Sequence, residues 1–274
     1  MITLANPDFN IKKIADSGQC FRLNPNHEGG YTLVANGRVL QLWDADNGCR
    51  IDCTQAEFDA LWRDYFDFAT DYASIRAQAD PEDAFLQRAC AYGAGIRMLR
   101  QDPWEMLMSF IISQRKSIPA IRFCVEALCA RYGEPIEHAG GRYFAFPAAE
   151  RLAALDEAHF LACSLGYRAK YVLACARMIA SGALDLDAMT ALDDEALFSV
   201  LLKVPGVGEK VANCAMLFGY HRLSRFPRDV WINRVIEQEY GGAFPLERYP
   251  DTAGALQQYI FYYARSAVYQ GKRI

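Results

Sequence analysis

Several things are scarce in this chain of 274 residues. No apolar run approaches the ~18–20 residues that cross a bilayer. No internal repeat and no low-complexity linker appears. The N-terminus, from Met1 to Asp8, lacks a basic segment followed by an apolar one, so no signal peptide and no membrane association is expected, and the expected location is cytoplasmic. Positive charge is not in excess: 29 Lys and Arg stand against 33 Asp and Glu, a net charge of −4. That excludes a wholly basic wrapping surface and leaves room for a local basic cleft. Histidine is sparse, with His27, His138, His159 and His221 scattered along the chain. Nine cysteines are an odd number, and most lie in apolar stretches, as reduced buried thiols do. The pairs Cys49/Cys53 and Cys124/Cys129 have no second pair at zinc spacing, and no cysteine follows Cys214. No metal and no cofactor is therefore expected. What is plentiful is apolar surface: 52% hydrophobic residues with 23% charged exclude a disordered protein.

The first ~75 residues read mostly as β structure. Tyr31–Ala35 and Arg38–Trp43 are strand-like runs joined by Asn36-Gly37, the strongest short hairpin signal. Cys20–Leu23 and Cys49–Cys53 could flank them as strands, and Thr54-Gln-Ala-Glu57 is a capping box opening a helix over Phe58–Tyr65. From Asp80 onward only helical signals appear. Helices are expected from Asp80 to Cys90, from Asp102 with Pro103 at its first position, from Ser117 to Gly133, and over Pro147–Leu155, Glu157–Leu165 and Ala169–Ala180. Others follow from Asp194 to Leu202, Glu209 to Phe218, Asp229 to Tyr240 and Thr252 to Tyr269, with loops near 134–146 and 241–250. The expected class is α+β: an N-terminal antiparallel sheet domain, 1–79, on a two-lobed helical body, 80–274. The lobes run roughly over 102–218 and over 80–101 plus 219–274, with a helix–hairpin–helix at about 194–218.

The sharpest segment is Leu201-Leu-Lys-Val-Pro-Gly-Val-Gly-Glu-Lys-Val-Ala-Asn-Cys214. A helix ends, Pro205-Gly206-Val207-Gly208 turns, and a second helix begins. Two glycines permit positive φ and leave no Cβ over the turn. The next helix's first amides point outward with the positive end of its dipole behind them, which suits a phosphate. An ordinary helix–turn–helix elbow explains the same four residues equally well. Lys210 on the first turn of the new helix, Cys214 one turn further on the same face, and Asp229 at a helix N-cap after Phe226-Pro-Arg shift the balance. Lys on a phosphate-gripping hairpin, with Asp about twenty residues on, describes a site that cuts N-glycosidic bonds in DNA.

At this point the chain resembles the helix–hairpin–helix DNA glycosylases, specifically the 8-oxoguanine DNA glycosylase/AP lyase branch. Five ordered segments carry the likeness: Asp16-Ser-Gly-Gln-Cys-Phe-Arg22, Asp102-Pro-Trp-Glu…Ser109-Phe-Ile-Ile-Ser113, Leu165-Gly-Tyr-Arg-Ala-Lys-Tyr171, Pro205 to Cys214, and Pro227 to Val230. The hairpin alone would also fit endonuclease III-like enzymes, which usually carry a C-terminal iron–sulfur cluster.

The resemblance implies a partner, double-stranded DNA with a damaged base flipped out of the stack, and a monomeric, nucleoid-associated bacterial-type enzyme. Lys210 would attack C1′ in its neutral form and nick the strand by β-elimination, with Asp229 stabilising charge at C1′. Gly18 matches the glycine whose carbonyl senses the N7 proton of 8-oxoguanine. Gln257 and Phe261 match residues that bond and stack on the base, and Cys214 faces the lysine across it. Gly206, Gly208 and Val211 would grip a phosphate, and Tyr167 and Arg168 would fill the gap and meet the orphaned cytosine. The run Gln114-Arg115-Lys116-Ser117-Ile-Pro-Ala120 departs from the family, with Arg115 in place of an Asn and Ala120 in place of an Arg. Trp231 stands where animal enzymes have His. Arg115 and Lys116 remain able to meet phosphates, while discrimination for cytosine opposite the lesion is weakened. Arg115, Lys116, Arg168, Lys170, Lys210, Arg222, Arg225 and Arg228 are expected to line one basic cleft. Two other functions compete: a monofunctional glycosylase for alkylated bases, and a helix–hairpin–helix module that only binds DNA. Lys210 argues against the first, and Lys210 with Asp229 against the second.

Overall fold

In a computed structural model, residues 1–6 and 8–271 are described. Five strands, Ile2–Ala5 (β1), Leu23–Pro25 (β2), Tyr31–Ala35 (β3), Arg38–Ala45 (β4) and Gly48–Ile51 (β5), form one antiparallel sheet in the order β1-β5-β4-β3-β2. The Asn36-Gly37 turn works as its sequence suggests. Both residues have positive φ, 51° and 69°, and Ala35 pairs with Arg38 across it. Such a turn matches the right-handed twist of the flanking strands. Two elements in this region had no sequence signal strong enough to read: β1, and the helix Ile11–Asp16 (α1), capped by Asn10. Thr54 accepts from the Glu57 amide as a capping box should, and opens Gln55–Glu57 (α2). The helix then widens into a π turn over Phe58–Trp62 before Arg63–Tyr65 (α3).

The remaining helices are Tyr72–Ala77 (α4), Ala84–Gly93 (α5), Pro103–Ser113 (α6), Ile118–Tyr132 (α7), Ala149–Ala153 (α8), Glu157–Leu161 (α9), Ala169–Ala180 (α10), Asp194–Leu201 (α11), Glu209–Phe218 (α12), Val230–Tyr240 (α13), Ala253–Ala264 (α14) and Ala267–Gln270 (α15). The expectation of helices alone after Asp80 needs correction. Pro135–His138 (β6) and Gly141–Phe144 (β7) form a hairpin where a loop was expected. Its turn residues, Ala139 and Gly140, both have positive φ, so a non-glycine residue hides the turn signal. The helix expected from Asp80 begins only at Ala84, because Asp83, not Asp80, caps the Leu86 amide. The helix expected over Thr252 to Tyr269 breaks at Arg265, and Ser266 caps a separate short turn.

Two apolar cores result. One gathers the sheet residues Leu33, Leu40, Leu42 and Ile51 with Phe58, Trp62 and Phe66. The other fills the helical body. Helix α6 is buried on every side from Glu105 to Ser113, as a central helix must be when it is apolar all round. Among the described residues, no helix is long and apolar enough to cross a membrane.

Candidate active site

The C-terminal end of α6 meets the start of α12, the start of α13 and one face of α14 around a cleft of about 580 Å³. That volume is in the usual range for a small-molecule or nucleobase pocket. Lys210 is the second residue of α12. Its ammonium donates to the Ser113 hydroxyl at 3.4 Å and lies 5.0 Å from the centre of the Phe110 ring. Cys214, one turn on, is buried, and burial raises its thiol above the ordinary range while the nearby Lys210 charge opposes that rise.

The hairpin ahead of Lys210 is only partly as the glycines suggest. Gly206 has φ +81°, and a Cβ there would stand 2.4 Å from the Tyr171 ring, so glycine is required. Gly208 is the N-cap of α12 with φ −104° and ψ −179°, a backbone any residue adopts, and a Cβ there would meet nothing. The expectation of positive φ at both glycines therefore holds for Gly206 alone. No side chain caps the first amides of α12, which leaves them open to an anion.

Asp229 caps α13, and its Oδ1 accepts from the Ile232 amide at 2.9 Å. Burial raises its carboxyl above the ordinary range, against the Ile232 bond and the Lys210 charge. On α14, Gln257 Nε2 donates to the Pro227 carbonyl at 3.0 Å. A carbonyl can only accept, so the amide orientation is set and Oε1 is left buried without a partner at the cleft wall. That orphaned acceptor suits the N1–H and N2–H donors of a guanine-type base. Phe261 stands one turn further, with the Arg265 guanidinium 4.9 Å from its ring centre. Facing it is Gly18, which lies in the turn between α1 and β2 with φ +80°, not at a strand edge. A Cβ at Gly18 would come within 3.2 Å of the Phe261 ring. Arg115 and Lys116 form the mouth. Lys116 donates to the Ser164 carbonyl, whereas Arg115 is exposed, has φ +53° and has no protein partner among the described residues. The fold thus brings Lys210, Asp229, Gly18, Cys214, Gln257, Phe261, Arg115 and Lys116 to one cleft.

Comparison with known proteins gives the family of the chain. Residues 1–107 match the family described as 8-oxoguanine DNA glycosylase, N-terminal domain, and residues 108–243 match the HhH-GPD superfamily base excision DNA repair proteins. The Clostridium acetobutylicum 8-oxoguanine glycosylase/lyase, solved with double-stranded DNA containing cytosine opposite 8-oxoguanine, is 34% identical over 98% of this chain and 94% of its own, with a TM-score of 0.90. The chain belongs to the helix–hairpin–helix DNA glycosylases, in the 8-oxoguanine branch. An N-glycosylase/DNA lyase of Saccharomyces cerevisiae is 34% identical over 53% of this chain, and the match spans 42% of that protein's length. The Archaeoglobus fulgidus 3-methyladenine DNA glycosylase shares the fold, with a TM-score of 0.76 at 17% identity.

Several residues of this glycosylase do not stand where the family likeness suggested. Arg168 is 6% exposed, and its guanidinium is spent on the carbonyls of Gln114 and Leu165, so it does not reach outward to an orphaned base. Val211 is no exception to that likeness: its side chain is in the core at 3% exposure, while its backbone amide, the group expected to meet a phosphate, lies on the first turn of α12. Arg222 and Arg225 pair with Asp194, and neither they nor Lys170 and Arg228 line the cleft, so of the eight cations expected there only Arg115, Lys116 and Lys210 do. Tyr167 does remain outside, 48% exposed, on the turn Gly166–Arg168 away from the cleft lining.

Sequence reasoning missed Ser113, Gln114, Gln258 and Arg265. Gln114 donates to the carbonyls of Ile111 and Gly206, both at 3.0 Å, and its own carbonyl takes Arg168. It therefore ties the end of α6 to the hairpin and to the Tyr167 turn. For Gln114 and Gln258 the available signal was an uncharged amide inside or beside an apolar helix, which has to find hydrogen-bond partners there.

Proposed function

We propose that this chain excises 8-oxoguanine and related oxidised purines from double-stranded DNA and then nicks the strand as an AP lyase. The observation that carries this reading is the meeting of Lys210, behind a glycine hairpin with uncapped helix amides, and Asp229, a partly desolvated helix cap, in one base-sized cleft. The damaged nucleotide is flipped out at a cost of roughly a few kcal/mol. The neutral Lys210 amine attacks C1′, the C1′–N9 bond breaks, and its electron pair leaves with the base, which is then protonated. Asp229 stabilises positive charge building at C1′ in the transition state. The nitrogen now bonded to C1′ gives up one proton, the C1′–O4′ bond breaks with its electron pair going to O4′, which is protonated, and the C1′=N Schiff base that results lets removal of a C2′ proton expel the 3′ phosphate. Gln257 Oε1 and the Gly18 backbone read the base edge, Phe261 stacks on it, and Cys214 closes the wall behind Lys210. Gly206, Gly208 and the amide of Val211 grip the backbone, which positions the duplex without reading sequence. Arg115, Lys116 and Tyr167 meet the DNA around the lesion, and Trp231 stands at the rim.

The same reading takes residues 1–79 as a sheet domain and 80–274 as the catalytic body, acting as a monomer near the nucleoid in the cytoplasm. Borohydride trapping with a panel of lesion duplexes tests it, because a covalent cross-link reports both chemistry and substrate. A cross-link with 8-oxoguanine duplexes supports the reading. Release of alkylated bases without any cross-link would replace it with the monofunctional alternative.

A further inference from the structure

Helix α1 ends against the cleft, and its last carbonyls have no partner within the helix. Three successive ones are taken by side chains from the helical body. Arg122 donates to the Ala15 carbonyl at 2.6 Å, Arg265 to that of Asp16 at 3.2 Å, and Gln258 to that of Ser17. Ser17 is held from its other side as well. Its hydroxyl donates to the Ile14 carbonyl at 2.7 Å and accepts from Gln19 at 3.0 Å. Gln19 is in turn tied to the Arg97 carbonyl and the Leu99 amide, and Gln101 donates to the Gln19 carbonyl. The carbonyl between these anchored units, that of Gly18, has no donor among the described residues, and Gly18 lines the cleft.

The Ser17 carbonyl and the Gly18 amide belong to one rigid plane. Anchoring that plane and the one following Gln19 leaves the Gly18 carbonyl little freedom, with φ at +80°. 8-Oxoguanine differs from guanine along one edge, where N7 carries a hydrogen and C8 an oxygen. A fixed main-chain acceptor on that edge accepts a hydrogen bond from the lesion and faces a lone pair on guanine. Such a distinction is sharp only when the acceptor cannot turn away, because an unpaired buried polar group costs far more than a loosely made bond gains. Gln258 is 2% exposed, and a methionine would fill the same space without an amide.

We infer that Gln258 is a positioning residue: it holds the Gly18 carbonyl in place as the acceptor that separates 8-oxoguanine from guanine. The inference rests on the glycosylase function proposed above.

The experiment compares two rates in one variant, Gln258→Met. One is single-turnover excision of 8-oxoguanine; the other is nicking of a preformed abasic site, which needs Lys210 but no base. The ratio of excision to nicking should fall by about tenfold, the scale of one well-placed hydrogen bond. A ratio equal to that of the unmodified protein, whether both rates fall together or neither changes, overturns the inference. If Gln258→Met does not fold, Arg122→Met relaxes the same turn from its other end. It should lower the ratio in the same direction, and an unchanged ratio is again fatal. Should the unmodified chain act on neither duplex, the glycosylase reading itself fails and this inference falls with it.

Discussion

The Lys210 ammonium donates to the Ser113 hydroxyl at 3.4 Å, and that hydroxyl donates in turn to the Phe110 carbonyl at 2.8 Å. The start of the hairpin helix is thereby registered against the end of the central helix. Ser113 can only accept from Lys210, because its single proton is already committed. The resting lysine is held in one place by a neutral acceptor and an aromatic face, and among the described residues no carboxylate forms an ion pair with it.

Replacing that amine should separate binding from chemistry. Lys210→Gln is expected to abolish both the borohydride-trappable cross-link and strand nicking, while binding to lesion or abasic DNA persists. The check is a trapping gel beside a binding titration on the same duplex. Full lyase activity in the variant would remove Lys210 from the role of nucleophile.

DNA binding should weaken with salt, by counterion release. With Arg168 turned inward and Arg222 and Arg225 paired with Asp194, the cations left to meet phosphates are chiefly Arg115, Lys116, Lys170 and Arg228. At about −0.9 per neutralised phosphate, log K against log salt should have a slope of roughly −3 to −4. A salt-independent affinity in a titration series would contradict a phosphate-gripping cleft.

Opposite-base preference should be slight. Ala120 has no donor, Arg168 is occupied, and Arg115 is the remaining free guanidinium at the mouth among the described residues. A donor fork favours cytosine, whose N3 and O2 both accept. One such contact is worth roughly 1–3 kcal/mol, and an exposed one belongs at the low end. Single-turnover excision from duplexes with each base opposite 8-oxoguanine should show cytosine favoured by about tenfold or less, and Arg115→Ala should flatten that preference. A preference near a thousandfold would mean that other groups have taken over the reading.

Stability should fall as pH rises through neutrality. Burial lifts the Glu105 carboxyl to about 7, opposed by Arg22 and reinforced by Asp102 and Glu126. A raised folded-state value means that its contribution is fully present below about 4.5 and is lost as pH passes about 7. Urea unfolding at pH 5.5 and 8.5 should differ by about 2 kcal/mol on this account, and Glu105→Gln should shrink the difference. Equal pH dependence in the variant would locate the effect elsewhere.

Part of this molecule is determined locally. Asn36-Gly37, Thr54 with Glu57, Asp102-Pro103 and the Asp229 cap act through their immediate neighbours, so the sequence alone specified the β3–β4 hairpin, those three helix starts and the order of the site residues along the chain. Lys210 and Asp229 were legible from residue type and spacing, whereas Gly18, Gln257 and Phe261 were legible only through the family resemblance. What tertiary structure alone decided is where each long polar side chain turns. Arg168 reads as a surface cation, yet it is drawn inward by the unpaired carbonyls of Gln114 and Leu165. Gln258 reads as one more glutamine beside Gln257, yet it crosses to the Ser17 carbonyl 241 positions away. A buried donor takes whichever acceptor the fold brings near, and that acceptor leaves no mark in the sequence around the donor.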